Sequence, residues 1–161
     1  MKQNMSKKPA KEHLTTGTGE LDLVIGPTEA ADVMTGKVVT LSPHHSFNDA
    51  VKLMKDRFFR HCVVVDNDGK VVGVISDRDI LRALARPSNW QTKSLDQIMT
   101  RTPYIVRRET PIGEAVAKML AKRINCLPVV TDSGAVCGII TSTDLLRSYQ
   151  QLLGLIQKQA G

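Results

Sequence analysis

The feature that most restricts this chain is its repetition. Slid by 65 positions, residues from about 33 to 84 match residues further on without a gap. Val33-Met34-Thr35 falls on Ile98-Met99-Thr100, Ala50-Val51 on Ala115-Val116, Met54 on Met119, and Val64-Val65 on Val129-Val130. Gly69, Val71, Gly73, Ile75, Asp79, Leu81 and Arg82 meet identical residues at 134, 136, 138, 140, 144, 146 and 147. A duplicated unit folds twice, and its copies bury each other's apolar faces. Each copy is too small and too poor in apolar residues to keep a core alone, so two packed units are expected.

Each copy reads as β-α-β-β-α. In the first, KVVTL (37–41) is a β-branched run and hence a strand. Ser46 then opens a helix in which Phe47, Ala50, Val51, Met54 and Phe58 recur at helical spacing. HCVVV (61–65) and KVVGVI (70–75) are strands about the turn DNDG, whose Asn, Asp and Gly suit tight backbone. SDRDILRALA (76–85) closes the unit as a helix, with Ser76 and Asp79 in capping-box order. The second copy has a strand near 103–107 and a helix with Pro111 at its first position. Strands at 126–130 and 135–140 follow, then a helix from Thr141 to about Ile156. RPSNWQTKS (86–94) connects the copies, and Trp90 is expected to anchor it by packing.

The phrases GVISDRD and GIITSTD carry the chemistry. A helix N-terminus offers free N–H groups and positive potential, which suit a phosphate. The hydroxyl of Ser76 or Thr141 adds a donor, and a carboxylate one turn later accepts from two vicinal ribose hydroxyls. A nucleotide therefore accounts for both residue types at this spacing. The same residues also serve as plain caps, with Gly permitting close packing, so an architectural role stays open.

The VMT and IMT openings, the RHCVVVD and NCLPVVTD strands and the two G-h-h-[ST]-x-x-D phrases together resemble a tandem CBS-domain pair, or Bateman module, over about residues 28 to 150. The resemblance implies an α/β (α+β) fold of two repeats packed by pseudo-twofold symmetry. It also implies two clefts for an adenosine compound (AMP, ADP, ATP or S-adenosylmethionine) and a homodimer shaped as a flat disc. Asp79 and Asp144 match the ribose-binding position, and Ser76 and Thr141 the phosphate or ribose hydroxyl. Arg60 and His61, with Asn125 and Cys126, match cleft-lining positions before the second strand; Thr40 and Ile105 match strand positions whose backbone meets adenine. Arg60, His61 and Arg78 make repeat one the more suited to phosphate, because guanidinium forks fit phosphate oxygens. Val63 departs from the pattern, which keeps Pro128 in repeat two.

On this reading residues 1–20 form a disordered basic tail, 28–87 and 94–150 the repeats, 88–93 a linker, and 151–161 a helical extension. The net charge of +6, with Lys2, Lys7, Lys8 and Lys11 in the tail, raises loose polyanion binding as an alternative, but no nucleic-acid motif accompanies it. Only 4% of residues are aromatic, too few for stacking platforms. Cys62, Cys126 and Cys137 form no CxxC and read as small hydrophobes of a reducing compartment; the four histidines do not add metal-ligand spacing. No apolar stretch spans a membrane and the N-terminus has no signal core, so the cytoplasm is expected. With no triad, metal cluster or phosphate-binding loop, the chain reads as a regulator of a separate partner protein, needing no cofactor. A ligand-free dimerisation module is the other alternative.

Overall fold

The computed structural model describes residues 11–14, 21–24, 26–86 and 89–159. Lys11–Leu14 (β1) pairs antiparallel with Leu21–Val24 (β2), Lys11 opposite Val24. Of the span 1–20 expected as a tail, Lys11–Leu14 is this strand, and the other residues lie outside the described ones.

Two mixed sheets form the body. The first repeat contributes Thr40–Leu41 (β3), Phe47–Arg57 (α2), His61–Val65 (β4), Val71–Ser76 (β5) and Asp77–Leu84 (α3), after a short helix Ala30–Val33 (α1). The second contributes Thr100–Arg101 (β6), Val106–Arg107 (β7), Ile112–Lys122 (α4), Cys126–Val130 (β8), Val136–Thr141 (β9) and Ser142–Gln159 (α5). One sheet runs β3-β4-β5-β6 and the other β7-β8-β9. In each, the first strand is parallel to the second and the hairpin is antiparallel. Gly69 (φ 76°) and Gly134 (φ 84°) supply the left-handed turn positions. Both hairpins shift register at the same place, between Val64 and Val65 and between Val129 and Val130. Pro111 caps α4 rather than opening it.

The first strands are shorter than their apolar runs imply. Thr40 pairs with Val63. The corresponding Ile105 would face Pro128, which has no N–H to offer, and β7 starts one residue later with Val106 on Val129. The departure at Val63 and Pro128 thus shows itself in the ladder beside it.

The repeat openings cross over. Leu95, Ile98 and Met99 of repeat two pack in the core of repeat one, beside Leu41, Ala50, Val64 and Ile75. Ala30, Val33 and Met34 of repeat one pack in the core of repeat two, beside Ala115, Leu127, Val129 and Ile140. Thr100 continues the sheet edge opposite Val74, and Thr35 exchanges backbone bonds with Ile139 at 2.9 and 3.0 Å. Each crossing Met lies flat on a glycine. A Cβ on Gly73 would collide with Met99 Sδ and stand 3.0 Å from its Cγ; one on Gly138 would do the same to Met34, 3.1 Å from Cγ. The glycine of each phrase is therefore a seat for the methionine of the other repeat's opening.

A third cluster, Val63, Val74, Cys126 and Ile139, joins the sheets face to face. Val136 N donates to Gly69 O at 3.0 Å across the same junction. In the connector, Trp90 meets the Phe47 ring at 4.5 Å between centroids, which is the packing role expected of it.

Candidate ligand clefts

Ser76 caps α3 and Thr141 opens α5, and the aspartate three residues later completes each turn. Asp79 Oδ2 accepts from Ser76 N (2.8 Å) and Ser76 Oγ (2.7 Å); Asp144 Oδ2 accepts from Thr141 N (2.8 Å) and Thr141 Oγ1 (2.5 Å). Both aspartates are buried, at 9% and 8% exposure, and they are the buried charged residues of this core. A carboxylate is not buried for a cap alone at an exposed helix end; its second oxygen has to be accommodated too. Asp79 Oδ1 meets Arg82 Nη1 at 3.2 Å. Asp144 Oδ1 meets Arg147 Nη1 at 3.5 Å and Thr35 Oγ1 at 3.1 Å. One oxygen of each carboxylate is spent on the cap. The other is held by weaker, more exposed donors that a ribose hydroxyl can replace.

Thr35 and its counterpart Thr100 are the site residues that the sequence reading passed over. Thr100 lines one cleft with Asp79, Arg82, Arg86 and Lys93, a space of about 200 Å³. The signal was present in the sequence: both openings end in Met-Thr at the same offset.

The remaining candidates divide. Arg60 Nε donates to Asp77 Oδ2 at 2.9 Å, so its charge is compensated. His61 is half-buried opposite Ser76, and burial holds its imidazole below the ordinary 6.5, although Asp77 pulls the other way. A neutral His61 is a hydrogen-bonding group and not a cation. Arg78, Asn125 and Ser142 line a second space of about 420 Å³ with Arg123 and apolar side chains of α4. Cys126 is buried beside it, and burial together with the Asp79 and Cys62 charges pushes its thiol up to about 12. Thr40 lies in β3, whereas Ile105 is exposed just ahead of β7. Among the described residues no group of three His, Cys, Asp or Glu could hold a metal ion, and no helix is long and apolar enough to cross a membrane.

A family model for the CBS domain matches residues 30–86 and again 95–151. The chain belongs to the CBS-domain family. Among solved CBS pairs, it is 32% identical to a Vibrio cholerae protein named for acetoin utilization, AcuB, over 81% of this chain and 96% of that one, with a TM-score of 0.73. It is 32% identical to the CBS pair of protein MJ0100, solved with 5′-methylthioadenosine and S-adenosyl-L-methionine, over 76% and 99% of the two chains (TM-score 0.71). It is 27% identical to CBSX2 in complex with AMP, over 78% and 98% (TM-score 0.70). Curated relatives include a homoserine O-acetyltransferase of Methanohalobium evestigatum, 30% identical over 83% of this chain but 27% of that enzyme. An L-aspartate semialdehyde sulfurtransferase of Methanocaldococcus jannaschii is 32% identical over 76% of this chain and 23% of its own length. The chain thus spans about a quarter of these enzymes, and what it shares with them is the CBS pair.

Proposed function

We propose that this CBS pair is a sensor of an adenosine ligand, among AMP, ADP, ATP and S-adenosylmethionine, and that it regulates a separate partner protein without catalysing a reaction. The observation that carries this reading is the pair of buried carboxylates, each with one oxygen fixed by a cap and the other loosely held, that of Asp79 beside a cleft. Similar CBS pairs hold AMP and S-adenosylmethionine in their solved complexes, which supports the ligand class. Asp79 and Asp144 are the ribose acceptors on this reading, and Ser76 and Thr141 the hydroxyl donors. Asn125 and Cys126 line the cleft, while Thr40 and Ile105 offer backbone to adenine. Two symmetric acceptors suit two binding sites better than an acid and a base within one. A homodimer of pairs is the assembly that a partner would read, through whichever packing the ligand prefers.

Titration calorimetry with the four compounds tests this, using the native chain, Asp79→Asn and Asp144→Asn. Asparagine keeps one acceptor for the cap and removes the charge and the second acceptor. Heat with at least one compound, weakened in one or both variants, is expected. No heat and no change of melting temperature with any of the four would leave the phrase as a cap and the chain as a dimerisation module.

A further inference from the structure

The crossing methionines carry nucleophilic sulfurs, and the two repeats surround them differently. Met99 is partly buried. Its thioether lies on Gly73 against the apolar core of repeat one, and it also lines the space of about 200 Å³ beside Asp79. That space is rich in cations. Arg82, Arg86 and Lys93 line it with one carboxylate, Asp79, which already holds Arg82 at 3.2 Å.

Met34 has the same seat, on Gly138, in different company. The frame around the seats is built twice. Phe47 N donates to Lys93 O at 3.0 Å, and Ile112 N to Thr28 O at 2.8 Å. Leu95 N donates to His45 O at 2.9 Å, and Ala30 N to Thr110 O at 2.8 Å. Each of these pairs of bonds is related by the 65-residue offset, so the positions correspond in space as well as in sequence. On that frame Gln151 takes the place of Arg86, Thr28 that of Lys93, and Asp32 that of Gln97. At these positions the Met34 side has lost both cations and gained a carboxylate.

A thioether attacks the distal oxygen of a hydroperoxide with a sulfur lone pair. The S–O bond forms as the O–O bond breaks, and the proton of the distal oxygen passes to the departing one, which leaves as water or an alcohol. Sulfur gives up two electrons and the peroxide takes them. Negative charge grows on the departing oxygen, and cations lining the same space stabilise it. The sulfoxide oxygen is then a strong acceptor. Held among the apolar side chains of the Gly73 seat it is costly, whereas in the cleft it meets guanidinium and ammonium donors. We propose that Met99 is a site of reversible oxidation by hydroperoxides, and that its sulfoxide leaves the Gly73 seat for the cations of the Asp79 cleft. Its departure loosens the hold of the second opening on the core of repeat one and fills space beside Asp79. This holds whether or not an adenosine compound binds there.

The test is hydrogen peroxide on the folded full chain, with the sulfoxide at each methionine followed in time by peptide mass spectrometry. Met99 is expected to oxidise roughly fivefold or more faster than Met34, and the two rates to converge in urea, where neither has neighbours. Arg86→Gln with Lys93→Thr gives Met99 the company of Met34 and should shrink the ratio to less than about twofold. Oxidation lowers the melting temperature of the native chain by roughly 2–8 °C, and a methionine sulfoxide reductase restores it. Met99→Leu keeps an apolar side chain on Gly73 without a sulfur and loses most of that drop. Four results overturn the assignment: Met99 no faster than Met34 in the folded chain, a ratio unchanged in the double variant, no drop in melting temperature as the Met99 sulfoxide accumulates, or a drop that persists in Met99→Leu.

Discussion

The crossing of the openings is tested by placing a methyl group on Gly138. The added Cβ would overlap Met34 Sδ and lie 3.1 Å from Met34 Cγ and 3.3 Å from its Cβ. A new rotamer clears the sulfur, but contacts at Cγ and Cβ require the side chain to leave its seat. Overpacking of this kind costs about 1–3 kcal/mol. Methionine's adaptability favours the lower half of that range. For a chain of this size, about 1–2 kcal/mol is a loss of roughly 2–8 °C in melting temperature. Met34→Ala alone leaves a gap over Gly138 and costs on the order of 2 kcal/mol, because Met34 is only partly buried. The two changes share one space, since the methyl of Gly138→Ala fills part of the gap left by Met34→Ala. The double variant should therefore be more stable than the sum of the two losses implies, by about 1 kcal/mol or more. Urea denaturation of the native chain, both single variants and the double variant measures this. Losses that add to within about 0.5 kcal/mol would refute the contact, because groups that do not touch behave that way. Gly73→Ala with Met99→Ala repeats the experiment at the other seat.

Other expectations follow from the same geometry. His61 is held below 6.5 by burial, so on acidification the unfolded chain takes up a proton that the folded chain refuses. Stability then falls as pH drops below 6.5 and is regained above it; melting curves of His61→Gln should lack that step. Thr35→Val removes the 3.1 Å bond to Asp144 Oδ1 and should cost about 0.5–1.5 kcal/mol in denaturation, while freeing that oxygen for ligand. Arg60→Ala breaks an exposed pair with Asp77 and should change stability by less than about 1 kcal/mol. Burial pushes the Cys62 and Cys126 thiols up to about 11 and about 12, so a thiol reagent at pH 8 should label Cys137 first in the folded protein.

The hairpins and the helices that follow them were legible because their signals are local. HCVVV and CLPVV, bounded by turn residues and a capping hydroxyl, became β4 and β8 at the expected residues. The crossing of Met34 and Met99 was not legible in that way. It pairs residues about a hundred and about twenty-five positions apart, and no periodicity reports a distant partner. The shortening of β7 depended on what lies beside it, although Pro128 was in view. At the site, the hydroxyl and aspartate of each phrase are neighbours in sequence and could be read together. Arg60 lost its free charge to Asp77, 17 residues away across the strand pair, and only folding brings those two together.

The two roles of each aspartate bear on how a ligand would be felt. Oδ2 serves its own helix, and this bond does not depend on the other repeat. Oδ1 of Asp144 is tied to Thr35, a residue of the opposite opening, next in sequence to the Met34 seated on Gly138. On the sensor reading, a ribose that takes Oδ1 displaces Thr35 and loosens one of the threads crossing between repeats, while adding its own contacts to both walls. Binding and inter-repeat packing then draw on the same oxygen. Ligand shifts the packing only to the extent that its own bonds exceed the one it replaces. Thr35→Val should therefore tighten the ligand while weakening the apo fold. That opposite movement distinguishes an oxygen shared between two uses from one that serves the cap alone.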